Sequence, residues 1–133
     1  MADPLFQKDW KMDPRASSFS TSFTPDSETR LYEERENGYK LTVTGSLNGE
    51  EYAWGYTAEY DGEPHPVHGR EDVDSITIHK INDRITVGFF RKGLMPGGPY
   101  ARTVSEDGQE LMVEAAGRHA DGTPFYDVIQ YRL

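Results

Sequence analysis

Residues 39–56 read Tyr39-Lys40-Leu41-Thr42-Val43-Thr44-Gly45-Ser46-Leu47-Asn48-Gly49-Glu50-Glu51-Tyr52-Ala53-Trp54-Gly55-Tyr56. Large apolar or aromatic side chains recur at every second position on both sides of Asn48-Gly49. That period belongs to a strand with one buried face. Asn-Gly between two such runs marks a tight hairpin, because both residues tolerate the positive φ that a type I′ turn requires. A two-residue loop here places Tyr39, Leu41 and Val43 on one face with Tyr52, Trp54 and Tyr56, giving an aromatic wall.

The same grammar repeats along the chain. Turn signals stand at Asn37-Gly38, Asp61-Gly62, Asn82-Asp83, Asp107-Gly108 and Asp121-Gly122. Between them the sequence predicts strands over 28–36, 39–46, 50–60, 73–81, 84–91, 99–105, 109–118 and 123–132, with a shorter extended segment at 5–12. Thirteen glycines and eight prolines leave no room for an amphipathic helix of ordinary length. The best helical candidate is a single turn at 13–18, with Asp13 as N-cap and Pro14 in the first helical position. Two connections exceed hairpin length, 61–72 and 92–98, and such loops are where ligand gates sit in small all-β domains. An open sheet of eight or nine strands would leave two unpaired edges and a bare face. Closure into an up-and-down barrel removes both. The expected fold is therefore all-β: one domain over 1–133, an antiparallel up-and-down β-barrel of about 8–10 strands.

Loop lengths set which residues face inward. A two-residue loop at Asn82-Asp83 places Val87 and Phe89 inside with Ile78 and Ile76. A three-residue loop at Ala120-Asp121-Gly122 places Leu111, Val113 and Ala115 inside with Phe125, Asp127, Ile129 and Tyr131. Arg102 and Glu114 read as a cross-strand pair on the outer face. Outer-face Met112, Tyr126 and Val128 leave room for a homodimer.

The chain has 133 residues, with 23 Asp and Glu against 14 Lys and Arg, a net charge of −9. Such a surface repels phosphate backbones and anionic lipid. The densest basic stretch, Arg91-Lys92, is too small to offset it. No nucleic-acid or membrane partner is expected. There is no cysteine, so thiolate chemistry and disulfides are excluded. No apolar run approaches a membrane span. The start, MADPLFQKDW, lacks the basic and apolar regions of a signal peptide, and a cytoplasmic location is expected.

Asp127 is the sharpest candidate for chemistry. A carboxyl among Phe125, Ile129 and Val113 is desolvated, which raises its pKa and fits it for general acid or base work. The alternative is structural: Asp127 reaches water at a strand end or pairs with Arg118. Tyr52 and Tyr56 are candidate hydrogen-bond donors to a substrate carbonyl. Tyr39, Trp54, Phe89, Val113, Phe125 and Ile129 are candidate ligand-lining residues. His65-Pro66-Val67-His68 lacks the spacing of a zinc motif, and no stretch follows the calcium-loop pattern, so no metal is expected. The serines gather at 17–21 in a tail-like segment without a nucleophile elbow. Gly97-Gly98 lies in a loop with no following helix and is not a nucleotide fingerprint. None of the four histidines falls on the inner face, which argues against haem. No cofactor is expected.

The phrases Trp10-Lys11-Met12-Asp13, Tyr56-Thr57-Ala58-Glu59-Tyr60-Asp61-Gly62, His65-Pro66-Val67 and Val104-Ser105-Glu106-Asp107-Gly108 span most of the chain. Through them it resembles the calycin superfamily of lipocalins and fatty-acid-binding proteins, and the short bacterial lipocalin-like proteins. The resemblance implies a barrel with a ligand cavity. It also implies that Trp10 and Arg132 stack across the closed end. Lys8 stands where the lipocalin motif has glycine. Barrels of this kind host carriers and enzymes alike. The leading expectation is binding of a small, mostly apolar or aromatic molecule in the barrel interior. The alternative is a cofactor-free lyase, isomerase or cyclase, with Asp127 moving a proton and Tyr52 or Tyr56 polarising a carbonyl. A third reading is an interaction module with a filled core.

Overall fold

A computed structural model describes residues 5–21, 24–93, 95–119 and 121–133, excluding the side chains of 95–97. Eleven strands follow in chain order: β1 (Asp9–Met12), β2 (Ser18–Phe19), β3 (Ser27–Arg35), β4 (Gly38–Leu47), β5 (Glu50–Glu59), β6 (His65–His68), β7 (Ser75–Lys80), β8 (Ile85–Lys92), β9 (Met95–Val104), β10 (Glu110–Arg118) and β11 (Pro124–Arg132). Each strand from β3 to β11 pairs antiparallel with the next, and β1 bridges β3 and β11. This closes a ten-stranded antiparallel barrel, with β2 as an additional strand outside it. All described strand pairs are antiparallel, as an up-and-down meander requires.

The hairpins that carry a residue suited to positive φ follow the predicted register. At Asn48-Gly49 both residues have positive φ, 52° and 81°, and Leu47 pairs with Glu50. Tyr39, Leu41, Val43, Trp54 and Tyr56 consequently share the inner face. At the last hairpin Leu111 opposes Tyr131, Val113 opposes Ile129 and Ala115 opposes Asp127, as expected. Ala120 of that loop lies outside the described residues.

The β7–β8 hairpin differs from expectation by one residue. Lys80 pairs with Thr86 and Ile78 with Gly88, so three residues, Asn82 to Arg84, form the loop. Neither Asn82 nor Asp83 adopts positive φ. Instead the Asn82 Oδ1 accepts the Arg84 and Ile85 N–H groups at 2.8 and 3.0 Å, which stabilises the longer loop. The shift reverses β8. Val87 and Phe89 face outward, with Phe89 51 % exposed, while Gly88 and Phe90 face in. Phe89 is therefore not an interior residue.

Both long connections contain strand. Segment 61–72 contains β6, which joins β5 to β7 through two residue pairs on each side. Segment 92–98 belongs mostly to β9, with Lys92 opposite Met95; Leu94 lies outside the described residues. In place of the expected helical turn at 13–18 stands a non-helical hydrogen-bonded turn over residues 14–16. Asp13 accepts the Arg15 N–H on its side chain and the Ala16 N–H on its carbonyl, and β2 follows at once.

Segment 17–21 is not a tail. It runs beside β11 and satisfies that strand's free edge. The Ser17 hydroxyl accepts the Gln130 N–H at 2.9 Å, β2 pairs with Asp127 and Val128, and the Ser20 hydroxyl accepts the Tyr126 N–H at 2.7 Å. Hydroxyl oxygens stand in for strand carbonyls where the pairing lapses.

The barrel interior divides into two regions. Toward the end closed by Leu5 and Trp10 it is packed with buried side chains. Trp10 is fully buried and donates its indole N–H to the Leu5 carbonyl at 3.0 Å. The cation over its ring is Lys8, at 5.8 Å. Arg132 points away, to Asp13 and Glu110, with half its side chain exposed, so the expected Trp10–Arg132 stack does not form. The other end holds the cavity.

Candidate functional site

Four tyrosines and one arginine form the floor. The Tyr39 hydroxyl lies 2.6 Å from that of Tyr56 and 3.3 Å from that of Tyr100. The Tyr32 and Tyr39 rings meet edge-on at 5.4 Å. The Arg102 guanidinium sits 4.7 and 4.6 Å from the centres of these two rings and donates to the Thr86 hydroxyl at 2.8 Å. Burial pushes the Tyr56 and Tyr100 hydroxyls well above the usual tyrosine range. Arg102, read from sequence as an outer-face residue paired with Glu114, is only 3 % exposed. It pairs in register with Val113, whose side chain faces inward, and so does its own. Glu114 instead accepts the Tyr126 hydroxyl on the outer surface.

Gly88 makes this floor possible. It lies opposite Tyr100, and a Cβ there would stand 2.7 Å from the Tyr100 ring. The bare backbone gives the ring room to cross β8 toward Tyr39. Gly45 does the same for Tyr52 one layer up, where a Cβ would stand 2.6 Å from the Tyr52 hydroxyl. That hydroxyl donates to Glu28 at 3.0 Å.

Above the floor lies a cavity of about 490 Å³, open at the end away from Trp10. Its apolar lining comes from Phe19, Tyr52, Trp54, Phe90, Val113, Ala115, Phe125 and Ile129. Its polar lining includes Glu28, Arg30, Arg70, Asp72, His119 and Asp127. The buried Glu28 accepts hydrogen bonds from Tyr52 and Tyr131 and lies 3.5 Å from the Arg30 Nε. Arg30 is held between aromatic faces, 5.3 Å from Trp54 and 5.1 Å from Tyr131. At the rim, Arg70 grips Asp72 through two hydrogen bonds and stacks on Trp54 at 4.6 Å.

Asp127 is 8 % exposed. It faces Ala115 on β10 and Phe19 on β2 in register, and accepts the Ser20 N–H at 3.2 Å. Burial raises its pKa above the usual aspartate value, against the lowering effects of the Ser20 N–H and of His119. It is not paired with Arg118, which donates to the Gly122 carbonyl.

The structure thus brings Asp127, Tyr52, Trp54, Val113, Phe125 and Ile129 together around one cavity. Tyr56 and Tyr39 do not line it. They belong to the packed floor, because Gly88 lets Tyr100 fill the space beside them. Phe89 lies on the outer surface for the register reason above. Sequence reasoning missed Glu28, Arg30, Phe90 and Arg70. For Glu28 and Arg30 a signal was present, since Glu28, Arg30 and Tyr32 alternate on β3 with the period of a single face. Among the described residues no group of three or more His, Cys, Asp or Glu is placed to hold a metal ion.

Fold and site together define a closed antiparallel barrel with a ligand-sized internal cavity at one end. No protein-family model, no curated protein and no solved structure matches the chain.

Proposed function

We propose that the protein binds a small, mostly apolar or aromatic molecule inside the barrel, in the manner of the calycin-like barrels its sequence resembles. The observation that carries this reading is the cavity of about 490 Å³ walled by aromatic and aliphatic side chains with a few convergent polar groups. Small-molecule sites have this size and this mixture. Trp54 lines the cavity, whereas Trp10 is buried at the closed end, so Trp54 is a local reporter. Titration with the neutral dye N-phenyl-1-naphthylamine tests the reading. The expected result is saturable one-site binding with energy transfer from tryptophan that Trp54→Phe reduces, the remainder coming from Trp10. Absence of saturable binding overturns it.

A second reading, a cofactor-free lyase, isomerase or cyclase, draws on one observation, the raised pKa of Asp127 in the cavity wall. Its proposed donors fare less well. Tyr56 lies in the floor, and the Tyr52 hydroxyl proton is committed to Glu28. The arrangement favours binding over proton transfer. Turnover of an identified substrate that Asp127→Asn abolishes would reverse that preference.

A further inference from the structure

We propose that the ligand is a protonated amine with an aromatic or alkyl body, its ammonium group seated against Asp127. The assignment rests on the cavity being a ligand site and adds its charge. Both guanidinium groups of the cavity already have partners. Arg30 faces Glu28, and Arg70 is clamped by Asp72 at 2.8 and 2.5 Å. An anionic ligand must break one of these pairs to gain its own. Asp127 has no such partner: among the described residues it forms no ion pair with lysine or arginine, and it accepts a hydrogen bond from the Ser20 N–H. Its register neighbours Ala115 and Phe19 are apolar, and His119, stacked on Phe125 at 4.6 Å, is the nearby titratable group.

A carboxylate so buried loses hydration, and among the described residues no lysine or arginine replaces it; the lowering influence of His119 and of the Ser20 N–H is smaller than the cost of burial. A neutral ligand leaves that cost in place, and an anion adds repulsion. An ammonium group removes it through a charge-assisted hydrogen bond. The surroundings point the same way. Glu71 and Asp121 at the rim make five carboxylates against two guanidiniums around the cavity. The aromatic lining, Tyr52 and Phe125 included, also attracts a cation. The net charge of −9 draws cations toward such a mouth.

The test is a competition series on the whole chain, using N-phenyl-1-naphthylamine as the displaced reporter. The competitors share one body: 3-phenylpropylamine, 3-phenylpropan-1-ol and 3-phenylpropionate. The amine should compete about tenfold or more better than the alcohol, with the carboxylate weakest. In Asp127→Asn the amine should fall to the level of the alcohol, both referred to the dye affinity of that variant, and an amine preference that survives the substitution overturns the assignment. Raising salt should weaken the amine alone. Equal competition by all three, or a preference for the carboxylate, overturns the amine assignment and leaves the cavity reading intact. If the dye does not bind at all, the cavity reading fails and the amine assignment fails with it.

Discussion

The Tyr52 hydroxyl donates to the Glu28 carboxylate at 3.0 Å, across the space left by Gly45. This contact fixes the orientation of one cavity wall and commits the phenolic proton to a carboxylate. Burial, with Glu28 beside it, pushes the Tyr52 pKa far above the usual tyrosine value. Tyr52→Phe removes one of the two tyrosine donors to Glu28 and keeps Tyr131 and Arg30 in place. The expected loss is about 1.5–3 kcal/mol, that of a hydrogen bond to a charged group. Urea denaturation measures it, and dye binding should survive.

Arg30 and Arg102 are both buried, yet their removal should differ. Arg30→Met leaves Glu28 buried without its cation, which costs about 3 kcal/mol or more. Arg102 has no carboxylate partner among the described residues. Its contacts are the Thr86 hydroxyl and the Tyr32 and Tyr39 rings, and its Nη1 atom has no hydrogen-bond partner. Arg102→Met gives up the ring contacts and one hydrogen bond, but also relieves an uncompensated buried charge. The net loss should stay below about 1 kcal/mol. Chemical denaturation of the two variants side by side checks the contrast. Equal losses would show that the tyrosine rings hold Arg102 as firmly as Glu28 holds Arg30.

Legibility in the sequence tracked turn chemistry. The Asn48-Gly49 hairpin and the Asp121-Gly122 hairpin were readable because their residues favour the φ values the loops need, and loop length then fixes every face beyond it. Asn82-Asp83 lacks a glycine, and the Asn82 side chain builds a longer loop from its own oxygen, so Phe89 and Phe90 exchanged places. Strand β6 stayed hidden because His65-Pro66-Val67-His68 is short and carries a proline, which reads as loop. Charged residues inside the barrel escaped for a different reason. Burial rules place Glu and Arg outside unless paired, and the pairing of Glu28 with Arg30, Tyr52 and Tyr131 spans β3, β5 and β11. Asp127 was legible because it alternates with Phe125, Ile129 and Tyr131 on a single strand.

Gly45 and Gly49 lie four residues apart in one hairpin and should respond differently to alanine. At Gly45 a Cβ would stand 2.4 Å from the Ser27 carbonyl oxygen and 2.6 Å from the Tyr52 hydroxyl. Backbone cannot yield there, and Tyr52 must leave Glu28. Gly45→Ala should cost about 2 kcal/mol or more and alter the near-ultraviolet aromatic dichroism. At Gly49 nothing lies within 4 Å, and only the positive φ of 81° opposes a side chain. Gly49→Ala should cost about 1 kcal/mol and leave that spectrum unchanged. A reversed order in denaturation midpoints would refute the close-approach account of Tyr52.

Asp127 gives the fold a pH dependence of definite sign. Burial raises its folded pKa above its unfolded value, so the folded protein holds the proton more tightly than the unfolded chain. Below both values the carboxyl is neutral in both states and costs nothing. As pH rises past the ordinary aspartate value of about 3.9, the unfolded chain ionises first and the folded state loses relative stability. The loss grows up to the folded pKa and is constant above it. Asp127→Asn cannot ionise and keeps a side chain of nearly the same shape. It should therefore melt at higher temperature than the wild type at pH 7, with the difference shrinking as pH falls toward 4. Asp13, Asp61, Asp107 and Asp121 have lowered pKa values, and they affect both proteins equally. Melting curves across pH 4–8 compare the two directly. A variant less stable than wild type at neutral pH would mean that the Ser20 N–H and His119 stabilise the ionised Asp127 by more than its burial costs.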